Sequence, residues 1–293
     1  MKKLKLCFGI LLAGWLLTPY AAAQPVGRID HFDGKVADYR LEQQGKEKPI
    51  SLYMPLFPND IITIKNKQQT IQLVLQGETQ PVTVSYQNSP FTVKPTGKVP
   101  SKPDNFWQST QKFFSYWFTI TQPNVAQPVH GKGQELAMPV LEKQNIFKPA
   151  RLKAGKRALS VGWIGGKAPY QVQLATAQGK TLLSVTAENT FIKLPEFHFE
   201  TDKAYRITIN NADAPDWQKI IRGFKVVAQC PEYPAELKNA HLPEKTRRTL
   251  QATWLAKEYG NQWSYEAYQW IVNVENHAPA QALQNALVLG RNR

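Results

Sequence analysis

The sequence predicts a mainly β protein with a helical C-terminal region, and three observations predict it. Apolar and polar residues alternate from Val26 to about Gly97, and alternation returns between about Gly133 and Ala228. From Pro231 onward, apolar residues instead recur three and four positions apart, the spacing of a helix packed on one side. Between the β-segments, Pro95, Pro100 and Pro103 preclude a continuous element and mark a linker.

The first 23 residues have the layout of a secretory signal peptide. Lys2, Lys3 and Lys5 form a positive start, Leu6 to Leu17 an apolar stretch, and Ala21-Ala22-Ala23 the small-residue cleavage pattern. The apolar stretch is shorter than the roughly 20 residues of a spanning helix, so cleavage before Gln24 and a periplasmic location are expected. No transmembrane segment is expected in the mature chain. Cleavage removes Cys7 and leaves Cys230 alone, which excludes an internal disulfide. The formal charge of +14 loses three lysines with the signal and becomes about +11. Anions outside the cytoplasm are lipid head groups and wall polymers, so nucleic acid is not an expected partner.

In segment 24–97, Ile61, Ile62, Ile64, Ile71, Leu73, Leu75, Val82, Val84, Phe91 and Val93 supply the near-alternation. Pro58-Asn59-Asp60, Lys65-Asn66-Lys67 and Gln76-Gly77-Glu78 supply the turns. A small all-β unit follows from this pattern. Its opening, Gly27-Arg28-Ile29 then Gly34-Lys35-Val36, leads to Leu56-Phe57-Pro58-Asn59-Asp60-Ile61-Ile62-Thr63 and the strand Thr70-Ile71-Gln72-Leu73-Val74-Leu75. That order resembles the FecR-type domain, with Asn59 where the family carries glycine. Asparagine is the next-best residue for a positive-φ turn. The resemblance implies a non-enzymatic β-module outside the cytoplasm.

Residues 98–132 form the linker. Within it Phe106, Trp107, Phe113, Phe114, Trp117 and Phe118 fall on one side of a helix, opposite Gln108, Gln111, Lys112 and Ser115. Membrane-surface helices carry Lys and Arg along the polar face, and here Lys112 stands alone. The aromatic face is therefore expected to pack between β-units.

Segment 133–229 reads as a β-sandwich of immunoglobulin or fibronectin type. Its strands run through Leu159, Val161 and Trp163, then Tyr170, Val172 and Leu174. Leu183 and Val185, Phe191 and Leu194, Tyr205, Ile207 and Ile209, and Phe224 and Val226 continue the series. Segment 230–293 reads as antiparallel helices: Glu244 to Tyr259, a second capped by Ser264 and running through Ala267, Ile271 and Val274, and a third from Ala280 to Leu289. Their small residues, Ala252, Ala256, Ala267, Ala282 and Ala286, resemble a tetratricopeptide-type hairpin with a cap. Two or three such helices do not stand alone, so docking on the sandwich or on a partner is expected.

Chemical signatures are sparse. His31, His130, His198, His241 and His277 have no i, i+4 pair, and there is no HExxH, CxxC, G-x-S-x-G or P-loop. Asp30-His31-x-Asp33 is read as a solvated hairpin end. Cys230 is read as a buried thiol at the joint between sandwich and helices, with His241 its one local base candidate. Glu196 and Glu200, like Asp213 and Asp216, read as loop carboxylates. No catalytic, cofactor-binding or metal-ligating residue is nominated, and no enzyme activity or cofactor is expected. The expected role is a periplasmic adapter or sensor binding a protein partner or envelope component. The alternatives are a basic anchor holding an anionic wall polymer or lipid, and an envelope hydrolase with an unrecognised site.

Packing of the aromatic face predicts that Trp117→Ala costs several kcal/mol of stability, read by thermal melting. An unchanged melting temperature with lost binding to anionic vesicles would place that face on a membrane instead.

Overall fold

The structure is a computed structural model that describes residues 25–76, 78, 80–94, 110, 135–142, 149–211, 219–234, 237–238, 242–257 and 261–290. The expected signal peptide and the aromatic face from Phe106 to Phe118 lie outside the described residues. The chain is mainly β with helices in its C-terminal region, as the patterning predicts.

Among the described residues, eight strands build the N-terminal unit: β1 (Gly27–Phe32), β2 (Tyr39–Gln43), β3 (Lys46–Lys48), β4 (Pro55–Leu56), β5 (Ile61–Ile64), β6 (Thr70–Leu75), β7 (Val82–Ser85) and β8 (Phe91–Thr92). They form two four-stranded sheets, ordered β4-β1-β6-β7 and β3-β2-β5-β8. Ile62 and Ile64 of β5, Ile71 and Leu73 of β6, and Val84 of β7 are buried and their immediate strand neighbours are less so, the period expected of a sheet with one covered face. Asn59 adopts φ 69°, the left-handed conformation expected of it. The next residue locks the turn: Asp60 Oδ2 accepts the Phe57 N–H and Gln43 Nε2, both at 2.8 Å.

Strand β1 is irregular. Its register against β6 shifts between Ile29, opposite Leu73, and His31, opposite Gln72, so Asp30 is the extra residue of a β-bulge. A bulge re-aims one side chain out of the alternation, and both Asp30 and Phe32 are buried as a result.

Among the described residues, the second unit has seven strands: β9 (Ala150–Lys153), β10 (Gly155–Gly162), β11 (Tyr170–Thr176), β12 (Thr181–Ala187), β13 (Phe191–Phe199), β14 (Ala204–Asn211) and β15 (Ile220–Val227). Five form a sheet ordered β12-β11-β14-β15-β9, in which β9 runs parallel to β15, and β10 pairs with β13 in a second sheet. Phe199 of β13 meets Tyr205 of β14 (5.4 Å between centroids) and Phe224 of β15 (6.1 Å), which ties the two sheets together. Trp163, just past β10, is buried edge-on against Tyr170. Glu196 lies within β13, not in a loop, and pairs with Lys156 of the facing strand at 3.1 Å. Strand β9 was not expected.

Among the described residues, four α-helices can be given with both ends: α1 (Pro139–Glu142), α2 (Glu244–Lys257), α3 (Ser264–Ile271) and α4 (Ala278–Val288). The single turn α1 precedes the first strand named from the sequence, within the segment read as sandwich. Pro139 supplies no donor there, Glu142 takes the Met138 N–H at 3.2 Å, and Arg222 of β15 holds Glu142 at 2.9 Å. Ser264 does not cap α3. Trp263 occupies the cap position, and the Ser264 hydroxyl donates to the Ala256 carbonyl at the end of α2, 3.4 Å away. Pro279 sits in the first turn of α4, where a missing N–H costs nothing.

The helices dock on the sandwich through polar side chains. Glu266, 1% exposed, accepts the Lys153 N–H of β9 at 3.0 Å, a bifurcated contact from Arg157 Nη1 to both its oxygens at 3.0 Å, and Trp270 Nε1 at 2.6 Å. One turn along α3, Gln269 Oε1 accepts the Ser160 N–H of β10 and Gln269 Nε2 donates to the Ser160 carbonyl, both at 2.8 Å. Tyr265 adds a second bond to that carbonyl at 3.1 Å. One helix thus supplies side-chain partners for the outward backbone groups of two sheet edges. Gly162 lets it approach: a Cβ there would lie 2.6 Å from Tyr268 Oη.

Gln269→Leu keeps the volume but leaves the buried Ser160 N–H without its acceptor, and is expected to cost about 2–3 kcal/mol. Urea denaturation checks this, and a loss below about 0.5 kcal/mol would contradict it.

Candidate functional site

The bulge in β1 turns Asp30 toward the helices. Thr246, in the first turn of α2, donates to Asp30 Oδ2 at 2.8 Å, and both residues are buried. Burial raises the Asp30 carboxyl above its ordinary range, opposed by the Thr246 bond and by the positive Arg28 two residues earlier on the strand. Burial lowers Arg28, with Asp30 and Tyr53 acting against that shift, and burial raises the Tyr53 phenol. Arg28, Asp30 and Tyr53 form one electrostatic group behind the bulge, and Thr246 is its link to the helices.

Beside it stands a histidine pair. The rings of His31 and His277 lie 6.1 Å apart, one from β1 and one from the residue that precedes α4. His31 Nε2 faces Asp33 Oδ1 at 3.2 Å, and Asp33 Oδ2 accepts the Thr70 hydroxyl at 2.7 Å. Tyr39 fastens the same corner by donating to the carbonyls of Asp33 and Thr70. His277 is 5% exposed, and its pKa is pushed down to about 4 by burial first, then by His31 and Lys245. It is a neutral imidazole at neutral pH. Nδ1 of His31 and Nε2 of His277 are buried without a hydrogen-bond partner among the described residues.

This arrangement corrects the expectation of a solvated hairpin end. Asp33 stays half in solvent, whereas Asp30 is sequestered, because the bulge moves it off the face that regular alternation would assign. The four groups form a polar joint between the β-unit and the helices. Among the described residues, no three His, Cys, Asp or Glu are placed to hold a metal ion.

The remaining candidates are not brought together. Cys230 is partly buried, and burial, with Glu266 adding to it, pushes its thiol up to about 12, so it is no thiolate at neutral pH. His241, its expected base, lies outside the described residues, as do His130, Asp213 and Asp216. His198 is on an exposed position of β13. The residues that sequence reasoning missed are Thr246, Glu266 and Gln269. Thr246 carried no signal of its own, while Glu266 and Gln269 sit three apart among Tyr265, Tyr268 and Ile271, on a helix too short to have a solvated side.

The sequence matches no family model, no curated protein and no solved structure.

The joint has a pH signature. The folded pKa of His277 lies below the ordinary 6.5, so the unfolded chain binds more protons between those values. The His277 contribution is therefore complete above pH 6.5 and is lost as pH falls through about 4, on the order of 3 kcal/mol in all. Asp30, raised instead, acts in the opposite direction as pH rises through the carboxylate range. His277→Gln is expected to flatten the acid limb of stability against pH between 6.5 and 4. An unchanged slope would contradict a buried neutral imidazole.

Proposed function

We propose that this protein is a non-catalytic adapter or sensor, exported to the periplasm, that binds a protein partner or another component of the cell envelope. The observation that carries the reading is the double docking of the C-terminal helices. They hold the sandwich through Glu266 and Gln269, and they meet the N-terminal unit through the Thr246–Asp30 bond and the His31–His277 contact. Three elements joined by polar contacts of this kind suit a module whose parts must keep a defined relation while one of them engages a partner. The left-handed Asn59 and the Asp60-locked turn support the FecR-like reading of residues 24–97. Two β-sheets ordered β12-β11-β14-β15-β9 and β10-β13 support an immunoglobulin-type sandwich. The high thiol pKa of Cys230 supports a structural role for that cysteine.

The formal charge of +14 favours a second reading, an anchor that holds an anionic wall polymer or lipid through a basic surface. Affinity capture from envelope extracts separates the two. The adapter reading expects defined protein partners that persist through salt washes, and Thr246→Val, which loosens the joint, changes their capture while the protein stays folded. Retention on insoluble wall that ends with salt would support the anchor. Turnover of wall fragments by the purified protein would overturn both.

A further inference from the structure

A glycine inside a strand weakens it, and where it makes no bulge it marks a place at which another group comes close to the backbone. Gly223 is such a glycine. It stands in the middle of β15, whose pairing with β14 runs in unbroken register, and its φ lies outside the left-handed region. Nothing crowds it either. It is exposed, and a Cβ there would meet only the Tyr205 carbonyl oxygen, in ordinary contact at 3.6 Å. The fold would accept a side chain that the sequence does not supply.

The positions around Gly223 on the outer face of the five-stranded sheet are cationic. Phe224 and Val226 of β15, like Ala150 and Leu152 of β9, are buried, so Lys225, Arg151 and Lys153 share the opposite, exposed face with Gly223. Arg206 of β14 is the register partner of Gly223, and Arg151 is that of Lys225. Like charges set opposite each other across a strand pair destabilise it. Asp202 answers Lys225 at 3.1 Å, while Arg151, Lys153 and Arg206 form no ion pair among the described residues. The Arg206 guanidinium lies over Gly179 in the β11–β12 turn, where a Cβ would come within 2.6 Å of Nη2, and its Nε is buried without a partner among the described residues. Between the cations the surface stays low, since Ala204, the β14 partner of Lys225, is exposed as well.

These four cations spread over three adjacent strands, about 10 Å across, and so form an array and not a pocket. Ile221, two residues before Gly223 on the same face, is 41% exposed. A membrane surface offers such a face both anionic headgroups and an apolar layer, whereas a wall polymer gives the isoleucine nothing to enter. We propose that this face rests on an anionic lipid membrane, with a headgroup phosphate seated over Gly223 between Arg206 and Lys225. The contact rests on the anchor reading and gives it a location. Each cation near an anionic surface strengthens binding by a factor of about five, so the attachment is weak, reversible and screened by salt.

Co-sedimentation tests this, with the exported protein of residues 24–293 and vesicles of phosphatidylcholine with and without phosphatidylglycerol. Binding is expected only with phosphatidylglycerol, and it falls as salt rises. R151Q and K153Q each weaken it about fivefold, whereas K46Q, the same charge change on exposed Lys46 of β3, leaves it unchanged. G223T is expected to weaken binding while the melting temperature holds or rises, because threonine suits an open strand position and stands where the phosphate would sit. Binding to phosphatidylglycerol that ignores R151Q, K153Q and G223T, or that falls equally with K46Q, would overturn this face and leave the anchor reading standing. No binding to either vesicle, with salt-sensitive retention on insoluble wall, would overturn the lipid contact and make the anchor's ligand a polymer. The absence of both would end the anchor reading as well.

Discussion

Glu266 is the contact on which the arrangement of this protein depends. A carboxylate out of water is costly unless several donors reach it, and this one collects a strand amide, one guanidinium nitrogen shared between its two oxygens and an indole N–H. Those donors come from β9, β10 and α3 itself, so the carboxylate cannot be satisfied unless helix and sandwich are assembled. Gln269 repeats the logic one turn later with a neutral group, its amide standing in for the peptide that a further strand would have offered Ser160. The helical region is in this sense the missing neighbour of two edges. Its stability is bound up with theirs.

The same helices carry the link to the N-terminal unit, through a different device. A bulge, not a helix, aims Asp30, and Thr246 answers it from the first turn of α2. The two fastenings differ in charge and in sensitivity. Glu266 has a cation within bonding distance, while burial raises the Asp30 carboxyl and lowers the His277 imidazole, each toward its uncharged form. The joint with the β-unit is accordingly the one that acid perturbs first.

The strands were legible because a covered sheet face forces alternation: Ile62 and Ile64, Ile71 and Leu73, and Val172 and Leu174 could be read directly. The Asn59 turn was legible because few residues tolerate positive φ. The site was not. Strand β9, Ala150-Arg151-Leu152-Lys153, is too short for alternation to declare itself, and it belongs to the sheet only through a parallel pairing with β15, far along the chain. The bulge at Asp30 has no local signature, because an extra residue shows only against the partner strand. Nothing in a run of acidic side chains marks Glu266 as the buried one, since its partners Lys153 and Arg157 lie over a hundred positions away. Ser264 has the sequence of a cap and serves instead as an inter-helix tie, because Trp263 must be buried and so takes the cap position.

If α3 seals the sandwich, the outward amides of Lys153 and Ser160 are protected by the helix and not by any strand. Native-state hydrogen exchange measures this directly. The account predicts that both amides exchange only in the opening that also releases α3 and the sandwich core around Val172 and Ile207, with one shared free energy. Rapid exchange of Lys153 and Ser160 at the rate of open edge amides, while the core stays protected, would contradict it.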